Sequence, residues 1–506
     1  MSFKPTLVLI AGRAVAFAAT FFIPVVLVRV FDQSEFGTYK QVFLIYATLF
    51  PIMQVGMAES LFYFLPADPG RGGRYAANSL LVLLLAGLGC VGLLAAGAGP
   101  IAGWLGNVEL KRYMLLTGIY LLLVLAGAVL EIVMISRGRY RRAALTYAGS
   151  DLLRALAFIV PGLLVGGLEW VLLGAIAFAA LRLLCTLAYL GREFGGQFRP
   201  HAGTLWKQFG YALPFAAAVA LEYIQINVHH YAVAYRFDAA VFAIYAVGCL
   251  QLPFVDFIAN PASSVMMVRI GEKLNEGQGR EVLPIWHDTT RRLALLFVPM
   301  FALLLITARE VIVLLFTGQY AASAPITMVW SAVVLLAVLQ TDGLMRAYAQ
   351  TRFLALLNLA RLVLIVASIG WFMSEFHLLG AVMVTVLAAA LAKAAAMARF
   401  RKLMRVGLRD LLPWRALGAI CAAATGAAIP ALLVKSYEGL APAALLALIG
   451  VVYGVVYLAL LLGLEVIEAG EEELLRRWLR RPAGAAFAAG PARIHGAPGQ
   501  VRQAHE

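Results

Sequence analysis

The sequence has little charge for its length. Asp, Glu, Lys and Arg make up 13% of its 506 residues, against roughly 25% in soluble domains, whereas hydrophobic residues make up 62%. A single apolar core stops growing near ~300 residues, so an excess of this size has to face lipid. These proportions exclude a soluble globular protein and predict an integral, polytopic protein of the cytoplasmic membrane.

The sequence also lacks the motifs of catalytic and metal sites. Its four cysteines lie singly in apolar stretches, without the spacing of metal ligands. No Gly-Lys dipeptide occurs, which excludes a P-loop, and neither an HExxH nor a DxD motif is present. We therefore expect a protein that is not an enzyme and that has no cofactor.

Long apolar runs fill most of the chain. A helix needs ~20 residues to cross the hydrocarbon layer, and continuous runs favour helices over the alternating strands of a barrel. The runs predict an all-α fold with about fourteen spans, at residues 6–29, 42–65, 78–103, 113–136, 143–166, 169–190, 207–234, 239–265, 293–316, 325–349, 353–373, 378–398, 413–435 and 440–463.

The basic residues predict the orientation of these spans. With the N-terminus inside, 28 of the 41 Lys and Arg residues fall in cytoplasmic segments and seven in outer ones, as the positive-inside rule requires. Both termini are then cytoplasmic, and all outer connections are too short for the catalytic loop of a membrane glycosyltransferase. The net charge of +14 indicates no nucleic-acid partner, because the basic residues cluster between apolar runs.

A short motif repeats at the same place in each half of the chain. Residues 31–39 read FDQSEFGTY and residues 237–245 read FDAAVFAIY. Six spans separate the copies, so the halves are expected to be parallel repeats. We predict an N-lobe of six helices (1–206), a C-lobe of six helices (207–410), two extra helices (411–465) and a partly disordered cytoplasmic tail (466–506). Prolines at similar places in both halves, Pro24, Pro51, Pro214 and Pro253, indicate interrupted helices beside a central pathway.

Several arginines lie inside predicted spans, where an ionisable group normally faces protein or water. Four of them are at cytoplasmic depth, namely Arg13, Arg154, Arg346 and Arg361. Guanidinium groups bind phosphate through paired hydrogen bonds and stay charged when dehydrated, so a cavity that they share would suit a diphosphate headgroup. For two of them the alternative is a structural ion pair within one helix, Asp151/Arg154 or Asp342/Arg346.

Further polar groups lie in other spans. Span 7 is the most polar, with Glu222, Gln225, Asn227, His229 and His230. A carboxylate within a span can carry a coupling proton or a cation, and the candidates are Glu59, Glu222, Asp256 and Asp342. We interpret the two histidines as interfacial, and Arg182 and Lys393 as side chains that snorkel.

Taken together, the chain resembles Wzx-like polysaccharide flippases of the multidrug/oligosaccharidyl-lipid/polysaccharide exporter superfamily. The resemblance is carried by the first span with Arg13, by VRVFDQSEFGTYKQVF (residues 28–43), by QVGMAESLFYFLP (residues 54–66), and by two six-helix halves followed by two helices. It implies two lobes around a cavity that opens alternately to each side. It also implies a polyprenyl-diphosphate-linked glycan as the transported partner, membrane lipids around it, H⁺ or Na⁺ as the coupling ion, and a polysaccharide polymerase or other assembly protein nearby.

In that account, the arginines bind the diphosphate, while Gln225 and Asn227 contact sugar hydroxyl groups. Two alternatives stay open. A cation-coupled drug exporter of the same fold would have a carboxylate-dominated pocket with fewer arginines. A non-transporting scaffold of a polysaccharide assembly complex would tolerate the loss of every charge within the membrane.

Overall fold

The computed structural model describes residues 20–437, 439–464 and 466, and in these ranges the chain is helical without any strand. Residues 20–27 are helical. The helices that follow are α1 (Gln33–Met53), α2 (Met57–Ala67), α3 (Gly72–Ala96), α4 (Ala98–Trp104), α5 (Leu110–Ala126), α6 (Leu130–Ser136), α7 (Tyr140–Leu164), α8 (Leu168–Phe194), α9 (Ala202–Arg236), α10 (Ala239–Gly248), α11 (Pro253–Asn275), α12 (Val282–Phe316), α13 (Ala324–Trp330), α14 (Ala332–Leu336), α15 (Thr341–Ala347), α16 (Thr351–Met404), α17 (Trp414–Lys435) and α18 (Pro442–Gly463).

These helices account for the predicted spans in a slightly different arrangement. Within the described ranges, eleven helical segments are long and apolar enough to cross a membrane. Predicted spans 11 and 12 correspond to the two helical stretches of α16, which are separated at His377, where the backbone is not helical (φ 50°, ψ −130°). Predicted span 8 is divided into α10 and α11. Most of the first span lies outside the described residues, so the count of fourteen stays a prediction.

We call helices α1 to α8 the N-lobe. Small residues let its helices approach closely, as is common in membrane proteins. A Cβ atom on Gly87 of α3 would lie 2.7 Å from the Leu122 Cα, and one on Gly118 of α5 would lie 2.9 Å from the Val91 Cα. Side chains at these two positions would push α3 and α5 apart.

We call helices α9 to α16 the C-lobe, and α17 and α18 pack against helix α12. The Tyr457 hydroxyl donates a hydrogen bond to the Leu295 carbonyl oxygen at 2.9 Å. Lys435 of α17 forms an ion pair with Glu310 of α12 at 3.1 Å. The last two helices therefore extend the C-lobe on its α12 side.

The repeated motif has the same local structure in both lobes. Asp32 caps α1, and its Oδ1 accepts a hydrogen bond from the Glu35 amide at 2.8 Å. Asp238 caps α10 with a 2.8 Å bond from the Val241 amide, and both aspartates have a φ of −68°. A short acidic residue at this position satisfies an otherwise unpaired helical amide. The sequence repeat is thus a repeat of helix starts.

The two capped helices pack against each other and close one end of the molecule. Gly37 of α1 lies so close to α10 that a Cβ atom there would overlap the Ala239 carbonyl oxygen. Arg29 donates hydrogen bonds to the carbonyl oxygens of Leu314 and Leu315 in α12, each at 2.8 Å. We call this the closed end; it joins the N-lobe to the C-lobe.

At the other end, the long helix α9 connects the lobes. Gln208 Nε2 donates to the Ser60 Oγ and the Ser79 Oγ of the N-lobe, each at 3.1 Å. Further along, α9 packs on α16 of the C-lobe. Helix α11, in contrast, packs on α12 and α15 of its own lobe, and several of its large apolar side chains are exposed, among them Phe254, Ile258, Val265 and Val268.

Candidate functional site

The capped helices of both lobes are interrupted, and each interruption borders a cavity. Helix α1 ends after Pro51, and the chain passes through Val55 (φ 51°) and Gly56 (φ 66°) before α2 begins. Helix α10 ends at Gly248, and α11 begins with Pro253. Backbone groups freed by such breaks are where membrane transporters bind ions and substrates. Pro51 and Pro253 therefore mark the two breaks, whereas Pro24 and Pro214 lie within helical stretches.

A cavity of about 290 Å³ lies at the first break, between α2 of the N-lobe and α9 of the C-lobe. Two carboxylates predicted from separate spans, Glu59 and Glu222, both line it. Glu59 is in the first turn of α2, where the helix dipole favours a negative charge. Its Oε2 is buried and has no hydrogen-bond partner. The structure thus brings together two acids that the sequence places 163 positions apart.

A larger cavity of about 620 Å³ lies at the second break, within the C-lobe. Tyr223 borders both cavities, so they are neighbours along α9. The charged and amide side chains that line the larger one are Gln225, Gln251, Asp256, Asn260, Gln340, Asp342, Arg361 and Lys393. Four of these were candidates from the sequence, namely Gln225, Asp256, Asp342 and Arg361.

Arg361 has the environment expected of a ligand-binding cation. Its side chain is half-buried, and its Nε is buried without a hydrogen-bond partner. No carboxylate oxygen of the described residues lies within 4.0 Å of its guanidinium nitrogen atoms. One turn earlier on α16, the Asn358 carbonyl oxygen accepts a 3.1 Å hydrogen bond from Gln225 Nε2. This bond ties α9 to the helix that carries Arg361.

Lys393 is the cavity residue that sequence reasoning misjudged. We interpreted it as snorkelling, but it lines the larger cavity and donates a 2.6 Å hydrogen bond to the Leu339 carbonyl oxygen, just before α15 begins. Its location near the end of a span looks the same in sequence as that of a snorkelling lysine. The cavity therefore contains two cations, Arg361 and Lys393, and two carboxylates, Asp256 and Asp342.

The other sequence candidates lie elsewhere. Arg154 donates to the Asp151 carboxylate at 2.8 Å and to the Thr20 Oγ1 at 2.6 Å within the N-lobe, which is the structural ion pair considered above. Arg346 is exposed and borders neither cavity, and it forms no ion pair with Asp342 in the described ranges. Asn227 is buried and borders neither cavity. Arg13 lies outside the described residues.

One further interpretation from the sequence is wrong. Arg182 does not snorkel, because its Nη2 forms a 2.8 Å ion pair with Glu131 and its Nη1 donates to the Ser150 Oγ at 3.0 Å. This error follows from the separation of the partners, since Glu131 lies on a different helix. His229 is buried in the C-lobe and borders the larger cavity, and its interfacial depth stays a prediction.

Comparisons with known proteins agree with this architecture. Residues 26–325 match the family model described as "Polysaccharide biosynthesis protein". The fold is similar to that of the structure titled "Lipid II flippase MurJ, inward closed conformation", with a TM-score of 0.69 and 13% identity over 95% of this chain and 100% of that one.

Similarity extends to two other transporters. One is an inward-facing multidrug resistance MATE family transporter of the MOP superfamily, with a TM-score of 0.59 and 14% identity over 78% of this chain and 98% of that one. The other is a MOP superfamily transporter from Pyrococcus furiosus, with a TM-score of 0.55 and 13% identity over 79% and 94%. Identities this low establish the fold alone. No curated protein matches the sequence.

Proposed function

The chain belongs to the polysaccharide biosynthesis protein family, and from this premise we propose that it is a flippase for polyprenyl-diphosphate-linked oligosaccharide. The family membership and the fold confirm the superfamily resemblance found in the sequence. The proposal is that the protein moves the lipid-linked glycan from the inner to the outer leaflet of the cytoplasmic membrane by alternating access. The observation that supports it most is the Arg361 guanidinium, which faces a large cavity without an ion-pair partner.

The larger cavity has suitable chemistry for a diphosphate. Arg361 offers a planar fork of donors, and Lys393 offers a compact ammonium group; they lie on either side of the break at His377 in α16. Without substrate, the carboxylates of Asp256 and Asp342 balance these two charges. A diphosphate that enters the cavity replaces these carboxylates as the counter-charge. The diphosphate and the carboxylates therefore compete for the same two cations. Arg13 remains a proposed partner of the headgroup, whereas Arg154 and Arg346 would contribute only in another conformation.

The carboxylates are proposed as the coupling groups. Glu59 belongs to the N-lobe and Glu222 to the C-lobe, and both face the smaller cavity. A proton or a sodium ion bound there would relieve the repulsion between the two acids and would hold the lobes together at this point. Release of the ion would favour their separation. Asp256 and Asp342 couple more directly, because protonation of either one leaves the cations of the larger cavity free for an anion.

Sugar groups are proposed to lie against the polar residues of α9 and α11. Gln225 is held by its bond to the Asn358 carbonyl oxygen and faces the larger cavity, where its amide oxygen can accept a hydrogen bond from a hydroxyl group. Asn260 of α11 lines the same cavity. Asn227 stays a proposal from the sequence, and it would need a movement of α9 to reach the glycan. The prenyl chain would remain in lipid.

The conformation is proposed to be inward-facing. The basic residues predict that the helix starts at Asp32 and Asp238 face the outside, which makes the closed end the outer end. At the opposite end, α11 packs on helices of its own lobe and exposes apolar side chains, and we propose that this face borders a space between the lobes. A flippase in this state would admit a headgroup from the cytoplasmic leaflet.

A genetic test separates this proposal from its two alternatives. In the native organism with the chromosomal copy deleted, we would compare Arg361→Ala and Arg361→Lys with Arg401→Ala, which changes an exposed arginine near the end of α16. At equal protein levels, the flippase proposal expects Arg361→Ala to abolish surface polysaccharide and to accumulate the lipid-linked glycan in the inner leaflet. Arg361→Lys should restore part of the output, because it keeps the charge.

Other outcomes of this test would identify the alternatives. Full glycan output from Arg361→Ala, or from a variant without any of the cavity charges, would indicate a scaffold. Normal glycan output together with increased sensitivity to cationic drugs in the deletion strain would indicate a drug exporter, for which the carboxylates Asp256 and Asp342 are the observation in favour.

A further inference from the structure

Beside the larger cavity, a cluster of metal-binding side chains lies where α9 meets the end of α10. His229, His230 and Cys249 each place a ligand atom within 4.8 Å of the other two. His229 and Cys249 are 1% and 4% exposed, and His230 is half-buried. Consecutive residues of a helix normally point in different directions, so the approach of two neighbouring histidines to one thiol requires specific packing.

Surrounding residues hold these ligands in place. The Tyr245 hydroxyl lies 2.6 Å from the His229 Nδ1, and the Trp330 ring packs with its centroid 5.4 Å from that of His229. A hydrogen bond at one ring nitrogen fixes the orientation of an imidazole and leaves the other nitrogen for a metal, as is usual for histidine ligands. The Tyr245 hydroxyl therefore fixes the orientation of the His229 ring.

We propose that this cluster binds a monovalent soft cation, Cu(I), through the two imidazoles and the Cys249 thiolate. Thiolate and imidazole ligands select Cu(I) or Zn²⁺ over Mg²⁺, Ca²⁺ and Na⁺. On binding, the thiol proton passes to water in the cavity as the sulfur–copper bond forms, and copper keeps its oxidation state.

Charge favours Cu(I) over Zn²⁺ at this site. One thiolate neutralises Cu(I), but it leaves a net positive charge around Zn²⁺. Lys40 of α1 already acts on His230 electrostatically, and no carboxylate belongs to the cluster. A second uncompensated positive charge in a buried place is unfavourable, so the neutral complex is preferred.

The cluster has an entry path and a mechanical consequence. Because His229 borders the larger cavity, an ion can reach the site from there. The bound ion would join α9 to Cys249, the residue at which α10 ends. Since α10 packs on α1 at the closed end, bound copper would restrict the movement of α10 there. This inference does not depend on the substrate that the protein carries.

Copper retention by the full-length protein tests the site. Purified protein in detergent would be loaded with Cu(I) under ascorbate, washed with a colorimetric Cu(I) chelator of adjusted affinity, and assayed for copper per chain. We expect one equivalent in the wild type, one equivalent in Cys421→Ser, which removes an exposed thiol of α17, and none in Cys249→Ser. His230→Asn keeps the thiol and should weaken retention at least tenfold.

Two results would overturn the proposal. One is equal copper retention by the wild type, Cys249→Ser and His230→Asn, which would show that the cluster is only a hydrogen-bonded contact. The other is preferential retention of Zn²⁺ over Cu(I), which would contradict the charge argument. If Cys249→Ser does not purify as a folded protein, His230→Asn alone tests the proposal. This variant should fold, because His230 is half-buried and asparagine is similar to histidine in size.

Discussion

Gly37→Ala should open the closed end of the molecule. The added Cβ would overlap the Ala239 carbonyl oxygen and lie 3.1 Å from the Ala239 Cα, whereas carbon atoms pack best at ~3.5–4.0 Å. Both atoms belong to the backbone of α10, so no side-chain rotation removes the overlap and α1 must move away from α10. Overpacking of this kind costs about 1–3 kcal/mol.

The cost applies only to the conformation in which α1 and α10 are in contact. A loss of about 2 kcal/mol from that state raises the ratio of open to closed molecules by roughly 30-fold. Gly89→Ala of α3 is the matched control, because a Cβ atom there has no neighbour within 4 Å. Both substitutions add one methyl group to a glycine in a helix.

Thiol labelling measures this change. In a variant without native cysteines, Ser323→Cys places a buried thiol beside α10, where the serine Oγ now donates to the Ile244 carbonyl oxygen. We expect a membrane-impermeant maleimide added outside to label this cysteine faster by tenfold or more in Gly37→Ala, and at an unchanged rate in Gly89→Ala. An unchanged rate in Gly37→Ala, with an unchanged melting temperature, would refute the packing argument and the assignment of the closed end to the outside.

Four further substitutions follow from the described contacts. Arg182→Ala leaves Glu131 buried without its cation, and we expect a loss of about 3–5 kcal/mol of stability, measured as a lower melting temperature in detergent; a normal melting temperature would contradict it. Asp32→Ala and Asp238→Ala each remove a helix cap and should each destabilise by about 0.5–2 kcal/mol in the same assay, whereas effects of opposite sign would contradict the repeat. Asp342→Asn leaves the larger cavity with a net positive charge, so a polyprenyl diphosphate should bind more tightly in a binding assay, and weaker binding would oppose the proposed competition.

Much of the fold followed from the sequence because lipid imposes simple rules. Long apolar runs become helices, and the positions of ionisable groups within them are visible without a structure. This is why Arg361, Asp342 and Glu222 could be identified as candidates that border a cavity. The capping aspartates of the repeat were also visible, since the same F-D-x-x-x-F-x-x-Y pattern starts α1 and α10.

The sequence could not show which groups meet. Arg182 and Glu131 are 51 positions apart and lie on different helices, so no helical spacing relates them. The Asp342/Arg346 spacing suggested an ion pair, but α15 is a helix of only seven residues and Asp342 faces the cavity that contains Lys393. Pro253 indicated an interruption near the start of α11, but the apolar residues on both sides extended predicted span 8 across the break.

The central claim is that the cavity around Arg361 holds the anionic headgroup of a lipid. The most direct test is the affinity of the purified protein, in lipid nanodiscs, for a polyprenyl diphosphate, with Arg361→Gln compared with Arg346→Gln as a control outside the cavity. Because one charge-assisted hydrogen bond contributes about 1.5–3 kcal/mol, we expect the dissociation constant to rise at least tenfold in Arg361→Gln and less than twofold in Arg346→Gln. Equal affinities for the wild type and Arg361→Gln would contradict the account.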